Sequence, residues 1–173
     1  MKLSGSFCPF CSNQKLCDNL NCKYCFNKSF ESHEKYIYWS DKNLVKPRQV
    51  TKRTAHKYIF NCNICNHEFL ISPDKISKSW CPYCSNPPKL LCNNNDCILC
   101  LNKSFMSCDK YKLWSDKNLK IPRHVFLNSV NKFIFNCKYC NNEYINSPNI
   151  ISKGVWCNCT KNKTESKLSS INN

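Results

Sequence analysis

A small α+β fold, built twice and held by cysteine cages instead of a large apolar interior, is what this sequence predicts. Three observations predict it. Cysteine supplies 17 of the 173 residues, a density that marks either a disulfide scaffold or a metal protein. Many of these cysteines fall in close pairs: Cys62/Cys65 precede Cys81/Cys84, and Cys137/Cys140 precede Cys157/Cys159. Residues 17–78 return as 92–153 with a constant offset of 75 and no gap, and 26 of the first 49 aligned positions are identical. Self-similarity at one period makes the fold a short array of a unit about 75 residues long.

Two Cys-x-x-Cys pairs at this separation predict a four-thiolate cage, because each pair sits on a tight turn that points both sulfurs at one tetrahedral ion. Metal is favoured over disulfides on three grounds. Met1–Ser6 carries a single charge and no apolar core follows it, so no secretory leader is read. The pairs have chelating spacing, and an odd cysteine total suits a fully cross-linked framework poorly. The expected setting is therefore intracellular and reducing (cytoplasm or nucleus of a host cell, or a virion), not secretory. No apolar run reaches the ~18 residues a membrane helix needs.

The chain divides by this reading into residues 1–16, a truncated half-knuckle; 17–84, the first unit; 85–159, the second; and 160–173, a tail. Within a unit, Cys17-x4-Cys22-x2-Cys25 reads as a knuckle-rich loop. Ser32 reads as the N-cap of a short helix through Trp39, with Glu34 in its first turn. Lys42–Thr54, polar and interrupted by proline, reads as a loop. The runs Lys57–Phe60 and His67–Ile71 are β-prone and flank the Cys62/Cys65 turn, which predicts a hairpin. Pro87-Pro88 excludes a long helix directly after Cys84.

Ligands can be assigned by counting. Cys62, Cys65, Cys81 and Cys84 form one site, and Cys137, Cys140, Cys157 and Cys159 another, with the tighter Cys157-Asn158-Cys159 bite closing the last. Each knuckle has three cysteines and needs a fourth ligand. His33 and Cys108 stand 75 residues apart, a His-for-Cys exchange that zinc tolerates. The expected sets are thus Cys17, Cys22, Cys25 and His33, and Cys92, Cys97, Cys100 and Cys108. Four zinc ions account for fifteen cysteines. Cys8 and Cys11 are left, in a phrase matching Trp80–Asn86; an alternative set joins them to Cys22 and Cys25. Iron in a rubredoxin-like cage is the rival to zinc. His56, His67 and His124 align with Asn131, Asn142 and Gln49 and read as surface residues. Segments this short cannot bury enough apolar surface to fold unaided, so the metals carry the fold, with Trp39, Trp80, Trp114 and Trp156 capping miniature cores.

The formal charge is +15, and full thiolate coordination would bring it to about +8. That balance points to a polyanion, nucleic acid first. The candidate contacts are Lys46, Arg48, Lys52, Arg53 and Lys57 in one unit and Lys120, Arg123 and Lys132 in the other. Arg48 and Arg123 each follow a proline, which would let them present a guanidinium twice along a duplex.

Trp39-Ser-Asp-Lys-Asn, Pro47-Arg48-x-Val50, Phe60-x-Cys62-x-x-Cys65-x-His67-x-Phe69 and Trp80-Cys81-Pro82-Tyr83-Cys84 resemble the "probable zinc-ribbon" domain family. Its members occur in tandem in bacterial proteins and in large DNA viruses of protists. The resemblance covers residues 8–159, and the Cys17–Phe30 insert looks like the viral branch. It implies zinc-ribbon or treble-clef-like modules, often set before a restriction-endonuclease-like domain. Thr164-Glu165-x-x-Leu168 resembles the opening of such a domain, but the remaining carboxylates and the catalytic lysine do not follow. The expectation is a DNA-binding array, DNA ahead of RNA, that cuts nothing itself and works with a nuclease lost or encoded separately. A protein-interaction or structural module is the alternative. A RING ligase fits poorly because these ligand sets do not interleave, and closed cages leave a zinc hydrolase no position for water.

Overall fold

The computed structural model describes residue 10 and residues 15–159; Cys8, Cys11, Glu165 and the rest of the tail lie outside the described residues. The chain divides into two compact units, Met1–Lys89 and Leu90–Asn173. Both are small α+β bodies with short helices, one hairpin each, and cysteine-rich clusters. No helix among the described residues is long and apolar enough to cross a membrane.

The first unit opens with helix α1 (Lys23–Lys28), followed by 3-10 turns at Phe30–Ser32, Glu34–Tyr38 and Pro47–Gln49. The hairpin of β1 (Tyr58–Asn61) and β2 (Glu68–Ile71) is antiparallel, with Phe60 opposite Phe69. The alternation in Glu68-Phe69-Leu70-Ile71 puts Phe69 and Ile71 inside and Glu68 and Leu70 outside, as a two-faced strand requires. The core joins Phe30, Val50, Phe60, Phe69, Ile71 and Ile76 to Cys62 and Cys81. Phe60 meets Phe30 edge-on at 5.4 Å and Trp39 at 5.2 Å, the geometry that the aromatic quadrupole favours.

The second unit repeats the plan with α2 (Ile98–Lys103), β3 (Phe133–Asn136), β4 (Glu143–Asn146) and a closing α3 (Pro148–Ser152). Phe135 pairs with Tyr144 across the hairpin. Phe105, Phe135 and Ile151 form its core, with Trp114 and Tyr144 packed against them. Trp39 and Trp114 donate their indole N–H groups to Val45 O (3.1 Å) and Lys120 O (2.9 Å), so both are packing residues.

Three local readings change. The knuckle is not loop alone: α1 starts directly after Cys22 and α2 after Cys97. The segment after it is a 3-10 turn capped by His33, whose Nδ1 accepts the Lys35 N–H at 3.1 Å. The turn begins at Glu34, so the capping position falls on His33 and not on Ser32, whose hydroxyl donates to Ser29 O at 3.0 Å. Finally, the proline-containing stretch is ordered by backbone bonds: Phe30 N–H donates to Val50 O (2.7 Å) and Lys52 N–H to Lys28 O (3.0 Å).

Candidate metal centres

The hairpin turn builds the first cage. Cys62 N–H donates to His67 O and Asn66 N–H to Cys62 O, both at 2.9 Å. Asn66 takes φ 56°, a left-handed conformation that Asn tolerates better than most residues. This closes the knuckle and brings Cys62 and Cys65 together. Cys81 and Cys84 arrive on a second turn, where Ser85 N–H donates to Cys81 O at 3.1 Å. The Sγ atoms of Cys62 and Cys84 lie 3.6 Å apart and those of Cys65 and Cys81 3.5 Å. A tetrahedron with Zn–S bonds of ~2.3 Å has edges of about 3.8 Å, so the four sulfurs fit one zinc ion.

Burial pushes the Cys65, Cys81 and Cys84 thiols up to about 11. At Cys62 burial also raises the pKa, but the N–H groups of Ile64 and Cys65 outweigh it and hold the thiol below its ordinary range. A bound dication would ionise the whole set, since a coordinating thiol is deprotonated outright.

In the second unit Cys137, Cys140, Cys157 and Cys159 come together in the same way. Their Sγ–Sγ distances are 3.8 Å for Cys137–Cys159 and 3.8 Å for Cys140–Cys157. The short Cys157-Asn158-Cys159 bite draws Cys157 to 2.9 Å from Cys137. Burial raises the Cys137 thiol, but the bond from Cys157 and the N–H groups of Cys140 and Tyr139 bring it down to about 6. That bond pushes Cys157 up to about 12.

The two knuckles place Cys17, Cys22 and Cys25 in one group and bring Cys92, Cys97 and Cys100 together. Their local construction is the same. Cys17 N–H lies 3.4 Å from Cys25 Sγ, as Cys92 N–H does from Cys100 Sγ. Asn19 and Asn94 turn the backbone by accepting from Asn21 N–H and Asp96 N–H at 2.9 Å.

The expected fourth ligands are elsewhere. His33 does not join the first set; its ring stacks on Phe30 at 5.2 Å and its Nδ1 caps the turn. Cys108 does not join the second; it lies 3.5 Å from the Asp109 carboxylate. The 75-residue offset matched their positions, and both side chains belong to the start of the 3-10 turn. His67 is half-buried and stacks on Tyr83 at 4.4 Å, so it is not the surface residue that its alignment with Asn142 suggested. His56 and His124 are exposed.

The basic residues also sort differently. Lys46, Arg53, Lys57, Lys120 and Lys132 are exposed and Lys52 is half-buried. Arg48 and Arg123 are buried, at 6% and 2% exposure, and cannot reach a duplex. The structure holds them under the knuckles. Missed in the sequence were Lys75, Lys78 and Lys89, which share a groove with Lys57. Their spacing along an irregular segment carries no periodic signal.

All fifteen described cysteines are free thiols, and the all-sulfur cages suit zinc chemically. Residues 37–87 match the model of a family described as a probable treble clef zinc finger domain. Over 134 residues the chain is 37% identical to an uncharacterized protein of Acanthamoeba polyphaga mimivirus, covering 78% of this chain and 33% of that relative. The chain thus spans about a third of the length of the curated relative it matches. Cages and match together make this a zinc-binding protein with several sites, whose residues 37–87 are similar to a treble clef finger.

Proposed function

We propose that the chain is a zinc-dependent nucleic-acid-binding array, DNA ahead of RNA, with no catalytic activity of its own. The observation that carries this reading is a groove of about 440 Å³ in the first unit, bordered by Lys57, Lys75, Lys78 and Lys89. All four lysines are exposed, Trp80 and Phe69 line the same groove, and no carboxylate does. Four ammonium groups over an apolar, aromatic floor suit a phosphate backbone with its bases or sugars alongside. A smaller hollow of about 260 Å³ gathers Lys28, Lys52 and Arg53. The groove beside Lys46 includes Asp18 and Glu31 and suits a polyanion less well. Phosphate contacts of this kind give affinity with little sequence selection. Thiolate-filled cages serve here as scaffolds, and such thiols keep their metal in a reducing compartment.

Mobility shift of the zinc-loaded chain on DNA and RNA of matched length tests the reading. Binding should weaken steeply with salt, by a log–log slope near ~0.9 per phosphate contact on duplex DNA. It should vanish on chelation and drop strongly in a Lys57→Glu, Lys75→Glu, Lys78→Glu variant that keeps its metal. Salt-insensitive binding, or none, counts against it.

One observation favours the rival, a protein-interaction module. Leu44 and Leu119 occupy matched positions in the repeat and are fully exposed. If protein contact is the function, Leu44→Ser with Leu119→Ser abolishes it, while the lysine variant leaves it intact.

A further inference from the structure

Arg48 and Arg123 present an electrostatic problem that the protein alone does not solve. Each is buried on a 3-10 turn opened by the preceding proline. That turn is stitched to the segment after the knuckle helix, by Phe30 N–H to Val50 O and by Phe105 N–H to Val125 O, both at 2.7 Å. The guanidinium is thus delivered to the ligand loop. Arg48 Nη2 donates to Asn19 O at 2.9 Å, and Arg123 Nη2 to Asn94 O at 2.6 Å. Those carbonyls lie between the first and second cysteines of each knuckle, and they also accept the Cys22 and Cys97 N–H groups. Arg123 Nη2 is 3.8 Å from Cys92 Sγ as well.

Nε and Nη1 of both arginines are buried without a hydrogen-bond partner. Among the described residues no carboxylate pairs with either. The ion pairs among the described residues are Lys42–Glu68 and Lys117–Glu143. Asp18 and Glu31 line the same groove as Arg48 without forming an ion pair with it. A buried charge without a counterion is strongly disfavoured. The anion available in each unit is the knuckle itself, since a divalent ion with three thiolates is net negative. The duplication supports this. Lys46, Lys52 and Arg53 become Ile121, Leu127 and Asn128, whereas arginine stands at both 48 and 123.

We propose that Arg48 and Arg123 are the countercharges of the two Cys-x4-Cys-x2-Cys metal knuckles. Each guanidinium holds its ligand loop closed and offsets the charge of the metal–thiolate group beside it. They are positioning residues for metal, separate from any nucleic-acid contact.

The test uses the full zinc-loaded chain and four variants, Arg48→Met, Arg123→Met, Arg48→Lys and Arg123→Lys. Native mass spectrometry against graded chelator counts the metals retained, and the thiolate-to-metal charge-transfer band is read after cobalt exchange. Each Met variant should release one metal 10–100-fold more readily, the range seen when groups supporting metal ligands are lost. Its cobalt band should shift, and the Lys variant should recover most of the affinity. The Cys62/Cys65/Cys81/Cys84 cage is the internal control. Wild-type retention in the Met variants would overturn the proposal, because a charge lacking a counterion is replaced by Met without loss. So would a Lys variant no better than Met, or simultaneous loss of every metal.

Discussion

Asn43 and Ile59 exchange two hydrogen bonds: Ile59 N–H donates to Asn43 Oδ1 at 2.9 Å, and Asn43 Nδ2 donates to Ile59 O at 2.8 Å. A side-chain amide thus stands in for a neighbouring strand along the edge of β1. The repeat reproduces it, with Asn118 bonded to Ile134 at 2.9 and 2.8 Å. Asn43→Ala leaves the Ile59 N–H unpaired, while Ile59 O keeps the Ser40 N–H at 3.1 Å, and should destabilise the zinc-loaded unit by about 1–2 kcal/mol. Asn43→Asp keeps the acceptor and should cost less. Chemical denaturation of both variants measures the difference.

Chelation should unfold the chain rather than loosen it. The core of the second unit rests on Phe105, Val125, Phe135 and Ile151 besides its cysteines, too few to hold a body of this size. A structural zinc supplies an apparent ~10–16 kcal/mol of folding free energy. Excess chelator should abolish the near-ultraviolet signal of the half-buried tryptophans, and added zinc should restore it. A signal unchanged by metal removal would show that the aromatic core suffices.

Ligand substitutions should separate the cages from their neighbours. Cys65→Ser should lower the metal count by one. His33→Ala and Cys108→Ser should leave it unchanged, because neither side chain stands with the thiols of its knuckle. His33→Ala should still lose about 1 kcal/mol through the missing cap. Metal analysis of the purified variants decides.

His33 should also leave a mark on the pH dependence. Burial lowers its pKa from the ordinary 6.5, and Nδ1 must stay unprotonated to accept the Lys35 N–H. A base whose folded pKa lies below its unfolded one binds protons preferentially in the unfolded chain. Its contribution is therefore intact above pH 6.5 and shrinks as the pH falls below that value. His33→Asn, which can cap without titrating, should flatten stability between about pH 5 and 7 relative to wild type. Parallel curves for the two proteins would refute this role.

What the sequence revealed was what is local. The hairpins and the Cys62–Cys84 cage follow from spacing and alternation within some twenty residues, and both stand in the structure. The fourth-ligand assignment was arithmetic across the repeat; the structure does not group His33 or Cys108 with the knuckle thiols, and what the offset matched is their place at the start of the turn. Arg48 was read as a duplex contact because it follows a proline in a basic loop; its burial depends on a turn stitched to the segment after α1, which no local pattern encodes. One clue was present: arginine stands at both positions while Lys46 and Lys52 give way to Ile121 and Leu127.

Asn66 and its counterpart Asn141, at φ 56° and 58°, have a consequence for how the ion is captured. Because the peptide itself supplies the bend that aims each sulfur pair, the two thiols converge on one ion only once this residue has entered the left-handed region. Only side chains at ease with such dihedrals can occupy the position, and a β-branched residue there would splay the thiols and slow capture.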